Sequence, residues 1–154
     1  MLSIQTVVHP TDFSDPSRNA FELACALARD YGARLIVLHV VAPWPALASG
    51  VPVPPPDPGV QQREAKEQLD RLEVPHADIR AERRVEVGDP AEVVLRVARE
   101  VGASLIVLGT RGRSGLGRLL MGSVAEQVVR AAECPVLTVT APIPDTSGVR
   151  DATS

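Results

Sequence analysis

The sequence predicts a single doubly wound α/β domain, with a parallel sheet between helices. Three observations predict it. Short apolar, β-branched runs alternate with segments of helical apolar periodicity along most of the 154 residues, and such alternation implies right-handed crossovers and parallel strands. The run RLIVLHVV (34–41) is apolar on both faces, as a strand covered on both sides must be. Residues 28–38, ARDYGARLIVL, return at 98–108 as AREVGASLIVL. The same helix end, glycine stop and buried strand thus recur seventy residues on, too little for a solenoid but a fit to two βα halves of one sheet.

The elements follow in order. IQTVVH (4–9) reads as the first strand. Asp15 and Pro16 read as N-cap and first helical residue, Ala20, Leu23, Ala24, Leu27 and Ala28 follow at helical spacing, and Gly32 stops the helix. After the second strand, residues 43–58 hold seven of the fourteen prolines and read as an extended, mobile loop. A shorter helix follows around 60–72, with Ala65, Leu69 and Leu72 inward. RAERRVEV (80–87) is a strand whose charges suit a sheet edge. Asp89, Pro90 and Glu92 open a third helix with a capping-box-like pattern, a buried stripe of Val94, Val97, Ala98 and Val101, and Gly102 as its end. SLIVLG (104–109) is the fourth strand. Ser123 and Glu126 form a capping box for a fourth helix with Ala125, Val128, Val129 and Ala132 inward, and PVLTVTA (135–141) is the fifth strand. The domain is expected to span 1–141, with residues 142–154 a disordered tail.

Composition narrows the function. Aromatic residues are 3% of the chain, leaving few platforms for stacking single-stranded nucleic acid, and a net charge of −3 argues against general polyanion binding. Cys25 and Cys134 lie in no metal-binding spacing and read as reduced, buried thiols. The N-terminal residues lack the pattern of a signal peptide, and no apolar run approaches membrane-spanning length. The expectation is a soluble, cytoplasmic protein without nucleic-acid or membrane partners.

In an open parallel sheet, ligands bind beyond the carboxyl ends of the strands, where the strand order reverses. Two segments there carry chemistry. In PTDFS (10–14), Asp12 is placed either to accept hydrogen bonds from a ribose hydroxyl or an adenine amino group, or simply to close a turn. In GTRGRSGLGRLLMGS (109–123), five glycines and three arginines link a strand to a helix without one acidic residue. Glycine lets backbone N–H groups approach a ligand closely, successive N–H groups form an anion nest, and a helix beginning at Ser123 favours a phosphate. Arg111, Arg113 and Arg118 add positive charge. The competing reading is a basic connector, but a connector does not need glycine at both the strand exit and the helix entry. No GxxxxGK[ST] is present, and no GxGxxG follows the first strand, so P-loop and dinucleotide readings fail.

The spacing Gly109-x-x-Gly112, nine residues, Gly122-Ser123 resembles the G-2x-G-9x-G-[S/T] signature of the universal stress protein family. HPTDFSDPS (9–17) resembles that family's opening loop and ECPVLTV (133–139) its closing strand. The resemblance implies a Rossmann-like fold related to the adenine nucleotide alpha hydrolases, with a five-stranded sheet of order 3-2-1-4-5 and four helices. It implies ATP, or ADP or AMP, as ligand, with Mg2+ held on the phosphates and not by protein side chains. By position, Pro10, Thr11 and Asp12 would meet adenine and ribose, and Val40 and Val41 would hold adenine through backbone groups. Leu108, Gly109 and Gly112 would contact ribose and phosphates, and Arg113, Gly122, Ser123, Val124 and Ala125 the phosphates. Family members often carry His where this chain has Arg111. The resemblance also implies a homodimer through residues 136–141.

Efficient phosphoryl transfer needs metal-holding carboxylates and a group that positions the nucleophile. The 109–123 stretch has no carboxylate, and Asp12 is the one obvious carboxylate at the carboxyl end of the sheet. His9 and His39 lie on strands and read as packed or hydrogen-bonded groups. An ATP-binding regulatory or stress-response protein with at most slow hydrolysis therefore leads, ahead of a dimeric scaffold with a vestigial site and of a dedicated nucleotide-hydrolysing enzyme.

Overall fold

A computed structural model describes residues 1–44, 47–48, 50–110 and 122–142. In chain order the elements are β1 (Thr6–Pro10), α1 (Asp15–Tyr31), β2 (Arg34–Val41), β3 (Leu47–Ala48), β4 (Val51–Pro52), α2 (Pro58–Asp70), β5 (Arg80–Val87), α3 (Pro90–Val101), β6 (Leu105–Gly109), α4 (Ser123–Ala131) and β7 (Val136–Val139). The main sheet is parallel throughout, in the order β5-β2-β1-β6-β7. Counting sheet strands alone, this is third, second, first, fourth, fifth. The numbering shifts because β3 and β4 form a separate antiparallel hairpin inside the proline-rich segment expected to be only a loop. Gly50, with φ of 79°, turns that hairpin.

Alternation along the strands splits the core into two layers. Val7, Leu35, Val37 and Val107 pack with Ala20, Phe21, Ala24 and Ala28 of α1 and Leu69 of α2. Val8, Ile36, Leu38, Ile106 and Leu108 pack with Val94 and Val97 of α3 and Ala125 and Val128 of α4. The sequence echo has a structural counterpart at two helix ends. Gly32 and Gly102 both sit at φ of 62°, a left-handed conformation that glycine adopts without steric cost. The residues after them, Ala33 and Ala103, donate to the carbonyls of Ala28 and Ala98 at 2.8 and 2.9 Å, the long-range bond of a Schellman motif.

Several local expectations are corrected. Ser14, not Asp15, caps α1, its side chain accepting from the N–H of Ser17. The capping box of α4 does not form. Gly122 is the N-cap, so Ser123 is already helical and its hydroxyl cannot play the cap, while the Glu126 carboxylate pairs with Arg130 at 2.6 Å one turn on. Val129 of α4 is exposed, not inward. Asp89 does cap α3, accepting from Glu92 N–H at 3.0 Å. Cys25 and Cys134 are both free thiols, Cys25 buried and Cys134 only partly so. Among the described residues no helix is long and apolar enough to cross a membrane. The expected tail lies outside the described residues from 143 onward.

The two sheet edges differ. On β5, Glu82 pairs with Arg34 of β2 and with its strand neighbour Arg84, and Arg96 of α3 bridges Glu86 and Glu100 at 3.5 Å each. The two guanidiniums beside Glu82 hold its carboxyl below its ordinary pKa. At the other edge, β7 is four residues long, with Leu137 exposed.

Proline occupies a central strand at β1, where it removes a ladder donor. The β1–β6 register, Val7 with Leu105 and Val8 with Ile106, points the nitrogen of residue 10 at the carbonyl of Val107. Pro10 has no hydrogen to offer. His9 supplies it instead, donating from Nδ1 to the Val107 carbonyl at 2.8 Å. Since a carbonyl only accepts, Nδ1 carries the proton. Nε2 is then a fully buried acceptor with no partner among the described residues. Burial brings the imidazole pKa down to about 4, outweighing the Val107 bond and the nearby Asp12 charge, which act upward.

Candidate functional site

The ladder interruption at Pro10 lies where the strand order reverses, between β1 and β6. A cleft of about 190 Å³ opens there, at the carboxyl ends of β1, β2 and β6 and the N-terminal ends of α3 and α4. Three chain segments build it.

The first is the bend after β1. Thr11 is held at both backbone groups by consecutive residues of β2: its N–H donates to the Leu38 carbonyl, and its own carbonyl accepts from His39 Nδ1, both at 2.8 Å. Its hydroxyl accepts from Phe13 N–H at 3.1 Å. Phe13 is left at φ of 63°, a conformation that costs a non-glycine residue roughly 1–2 kcal/mol. Its ring rests on that of His39, with centroids 4.6 Å apart. Between these two anchored residues stands Asp12. Its N–H donates to Ser17 Oγ at 3.1 Å. Its Oδ1 accepts from Ser14 N–H at 3.0 Å and from the Ser14 hydroxyl, which in turn caps α1. Asp12 is thus a turn residue and lines the cleft as well; the two readings of its sequence position do not exclude each other.

The second segment is the end of β2. Backbone groups of successive strand residues face opposite neighbours. Leu38 turns its carbonyl to β1, so Val40 presents its backbone to the same side, where β1 has ended. Val41 turns the other way, and its carbonyl accepts from Gly88 N–H at 3.1 Å. Val40 accordingly lines the cleft, while the Val41 backbone faces β5.

The third is the end of β6 and the start of α4. Leu108, Gly109, Gly122, Ser123, Val124 and Ala125 all line the cleft. A Cβ on Gly109 would stand 2.5 Å from the backbone oxygen of Pro16 and 2.9 Å from the nitrogen of Ser17. Glycine is required there because the first turn of α1 packs on the strand end. Gly122, at φ of −59° and ψ of 156°, is the N-cap of α4. The first N–H groups of that helix have no partner within it, and its dipole is positive at this end. Gly112 and Arg113 lie outside the described residues, as do Arg111 and Arg118.

Pro10, Thr11, Asp12 and Val40 complete the set of expected residues that meet at the cleft. Five others were not anticipated: Ser17, Leu38, His39, Pro90 and Val94. Val94 was legible as a core position of α3, but its place over β2 depends on a crossover that periodicity does not reveal. Asp12 is the one carboxylate lining the described part of the cleft, and no group of three or more potential metal ligands occurs among the described residues.

Comparison with known proteins agrees with this architecture. The sequence pattern of the universal stress protein family matches residues 3–140. A universal stress protein of Bacillus subtilis is 36% identical over 138 residues, spanning 83% of this chain and 93% of that protein. The crystal structure of a universal stress protein in complex with cAMP is 32% identical with a TM-score of 0.66, covering 90% of this chain and 98% of the other. The universal stress protein of Archaeoglobus fulgidus in complex with dAMP is 25% identical with a TM-score of 0.66, covering 91% and 100%.

Proposed function

The chain belongs to the universal stress protein family, and from that premise we propose that it is an adenine-nucleotide-binding regulatory protein of the stress response. The observation that carries the reading is the cleft itself. It runs from the outward-facing backbone of Val40, through the carboxylate of Asp12, to the N-terminus of α4. Those three features match, in order, an adenine edge, a ribose and a phosphate. Two relatives of the same fold, in complex with cAMP and with dAMP, support the ligand class.

On this reading Pro10, Thr11, Asp12 and Val40 contact the nucleoside, and Leu108, Gly109, Gly122, Ser123, Val124 and Ala125 surround ribose and phosphate, with Gly112 and Arg113 completing the phosphate side. The resident ligand is ATP or its products ADP and AMP. Mg2+ would ride on the phosphates, since the described cleft offers a lone carboxylate for it. The same shortage of carboxylates limits turnover to the slow, unassisted end of nucleotide hydrolysis. The protein acts in the cytoplasm and forms a homodimer through the 136–141 edge.

The direct test is extraction. With one Trp and one Tyr in the chain, co-purified nucleotide raises absorbance at 260 nm visibly over 280 nm, and chromatography of the extract identifies it. An empty protein that also gives no calorimetric signal with ATP overturns the reading. A second test replaces Gly122 with valine. The added methyl groups stand at the mouth of the α4 N-terminus, and ATP affinity is expected to fall at least about tenfold, a loss of roughly 1.4 kcal/mol. Unchanged affinity in the folded variant removes α4 from the phosphate site.

A further inference from the structure

We propose that His39 is a positioning residue for nucleotide binding, holding the bend that carries Asp12 through its Nδ1 proton. The inference rests on the reading of the cleft as a nucleotide site. It starts from a feature that reading does not use. Among the described residues, the His39 side chain meets the bend on both sides of Asp12. On one side its Nδ1 donates to the Thr11 carbonyl at 2.8 Å; on the other its ring packs against Phe13 at 4.6 Å between centroids, tilted by 36°.

The bend needs such a clamp. Phe13 sits at φ of 63°, which an L-residue holds only where its surroundings over-determine it. Local hydrogen bonds, from Ser14 N–H to Asp12 Oδ1 and from Asp12 N–H to Ser17 Oγ, set the rotation of Asp12 relative to α1. They do not fix the bend to the sheet. That link is made by β2: the Leu38 carbonyl takes Thr11 N–H, and His39 takes the Thr11 carbonyl. Two adjacent β2 residues, Leu38 and His39, therefore grip both peptide groups of Thr11 immediately before Val40 in the strand. The distance between Asp12 and the Val40 backbone is thereby set by one short rigid path. A ligand that contacts both ends of that path gains affinity when the spacing is already correct in the free protein.

The donor, not the ring alone, does the positioning, and this separates three variants. His39→Phe keeps an aromatic partner for Phe13 and removes the donor. His39→Asn places an amide N–H near the position of Nδ1. His39→Gln carries its amide farther out, toward the position of Nε2. Isothermal titration with ATP and Mg2+, and separately with AMP, is expected to show His39→Phe and His39→Gln binding at least about fivefold more weakly than wild type, with His39→Asn within about twofold. Melting of the ligand-free proteins reads the structural contribution separately, and the Asn and Gln variants are expected to melt within a few degrees of each other. Equal affinity of the Asn and Gln variants overturns the proposal, and that comparison stands even if His39→Phe does not fold. A wild-type protein that binds neither nucleotide fails at the prior step, and the nucleotide reading falls with it. Wild-type binding with equal affinity in all three variants defeats the role of His39 alone.

Discussion

Replacing Gly109 with alanine is expected to cost roughly 3 kcal/mol of stability, the upper end of what overpacking a filled site produces. For a domain of this length that is about 6–12 °C in melting temperature. The Cβ would stand 2.5 Å from the Pro16 oxygen and 2.6 Å from its carbonyl carbon. Those are backbone atoms of the first turn of α1, so no rotamer change relieves the contact. The helix must shift away from β6, carrying with it Ser17, which receives Asp12 N–H. Nucleotide affinity is expected to fall in parallel. Gly59→Ala is the control, because a Cβ there meets only side-chain atoms, at 3.3 Å and beyond, and a near-neutral change is expected. A Gly109→Ala protein that melts with wild type refutes the close approach.

Acid is expected to destabilise the protein through His9, between pH 6.5 and 4. The imidazole is neutral in the folded chain down to about pH 4, whereas unfolded histidine takes up a proton near 6.5. The unfolded state therefore binds one more proton inside that window, and stability falls as pH drops through it. Above pH 6.5 the contribution is complete. Below about 4 the loss no longer grows, having reached about 3 kcal/mol for a fully buried group. Glu82, whose carboxyl pKa is held below its ordinary value by Arg34 and Arg84, begins to add its own loss as pH falls through the ordinary glutamate value of about 4.3, at the acid end of the same window. His9→Asn keeps an N–H for the Val107 carbonyl and does not titrate. Urea unfolding at pH 7, 6, 5 and 4.5 should then show a steeper decline for wild type than for the variant. Parallel curves would assign the acid sensitivity elsewhere.

The contrast between Gly109 and Gly122 shows how far sequence reading reaches. Both were legible as positions where the backbone comes close to something. The approach of α1 to Gly109 was not. Gly109 is crowded by α1, which reaches it only because the β1–α1–β2 crossover returns the helix over the sheet. The alternation of β-branched runs and helical stripes carried the fold, since each stripe had one buried solution. Ser14 and Gly122 displaced the expected caps by one residue because Ser, Asp and Gly all serve at that position, and only backbone torsions separate them. Val129 looked inward because it adjoins Val128, but α4 is short and covers the sheet with a narrow stripe. Val40 and Val41 were indistinguishable as apolar strand residues. Their backbones separate once the register with Leu38 and Gly88 is known. His39 carried no signal beyond its place in a strand, since its partners, Thr11 and Phe13, lie more than twenty-five residues away.

The inequality of the two sheet edges has a consequence for polymer growth. A fibre built by strand addition needs every subunit to offer two receptive edges, one for each neighbour. Along β5, Glu82, Arg84 and Glu86 are engaged with Arg34, Arg96 and Glu100, and charged side chains of this kind discourage strand addition at an edge. Of the two edges of the main sheet, β7, with Leu137 exposed, is the more receptive among the described residues. In the dimer proposed above, two copies joined at β7 would each cover the other's apolar edge of the main sheet, and strand addition there would end with the pair.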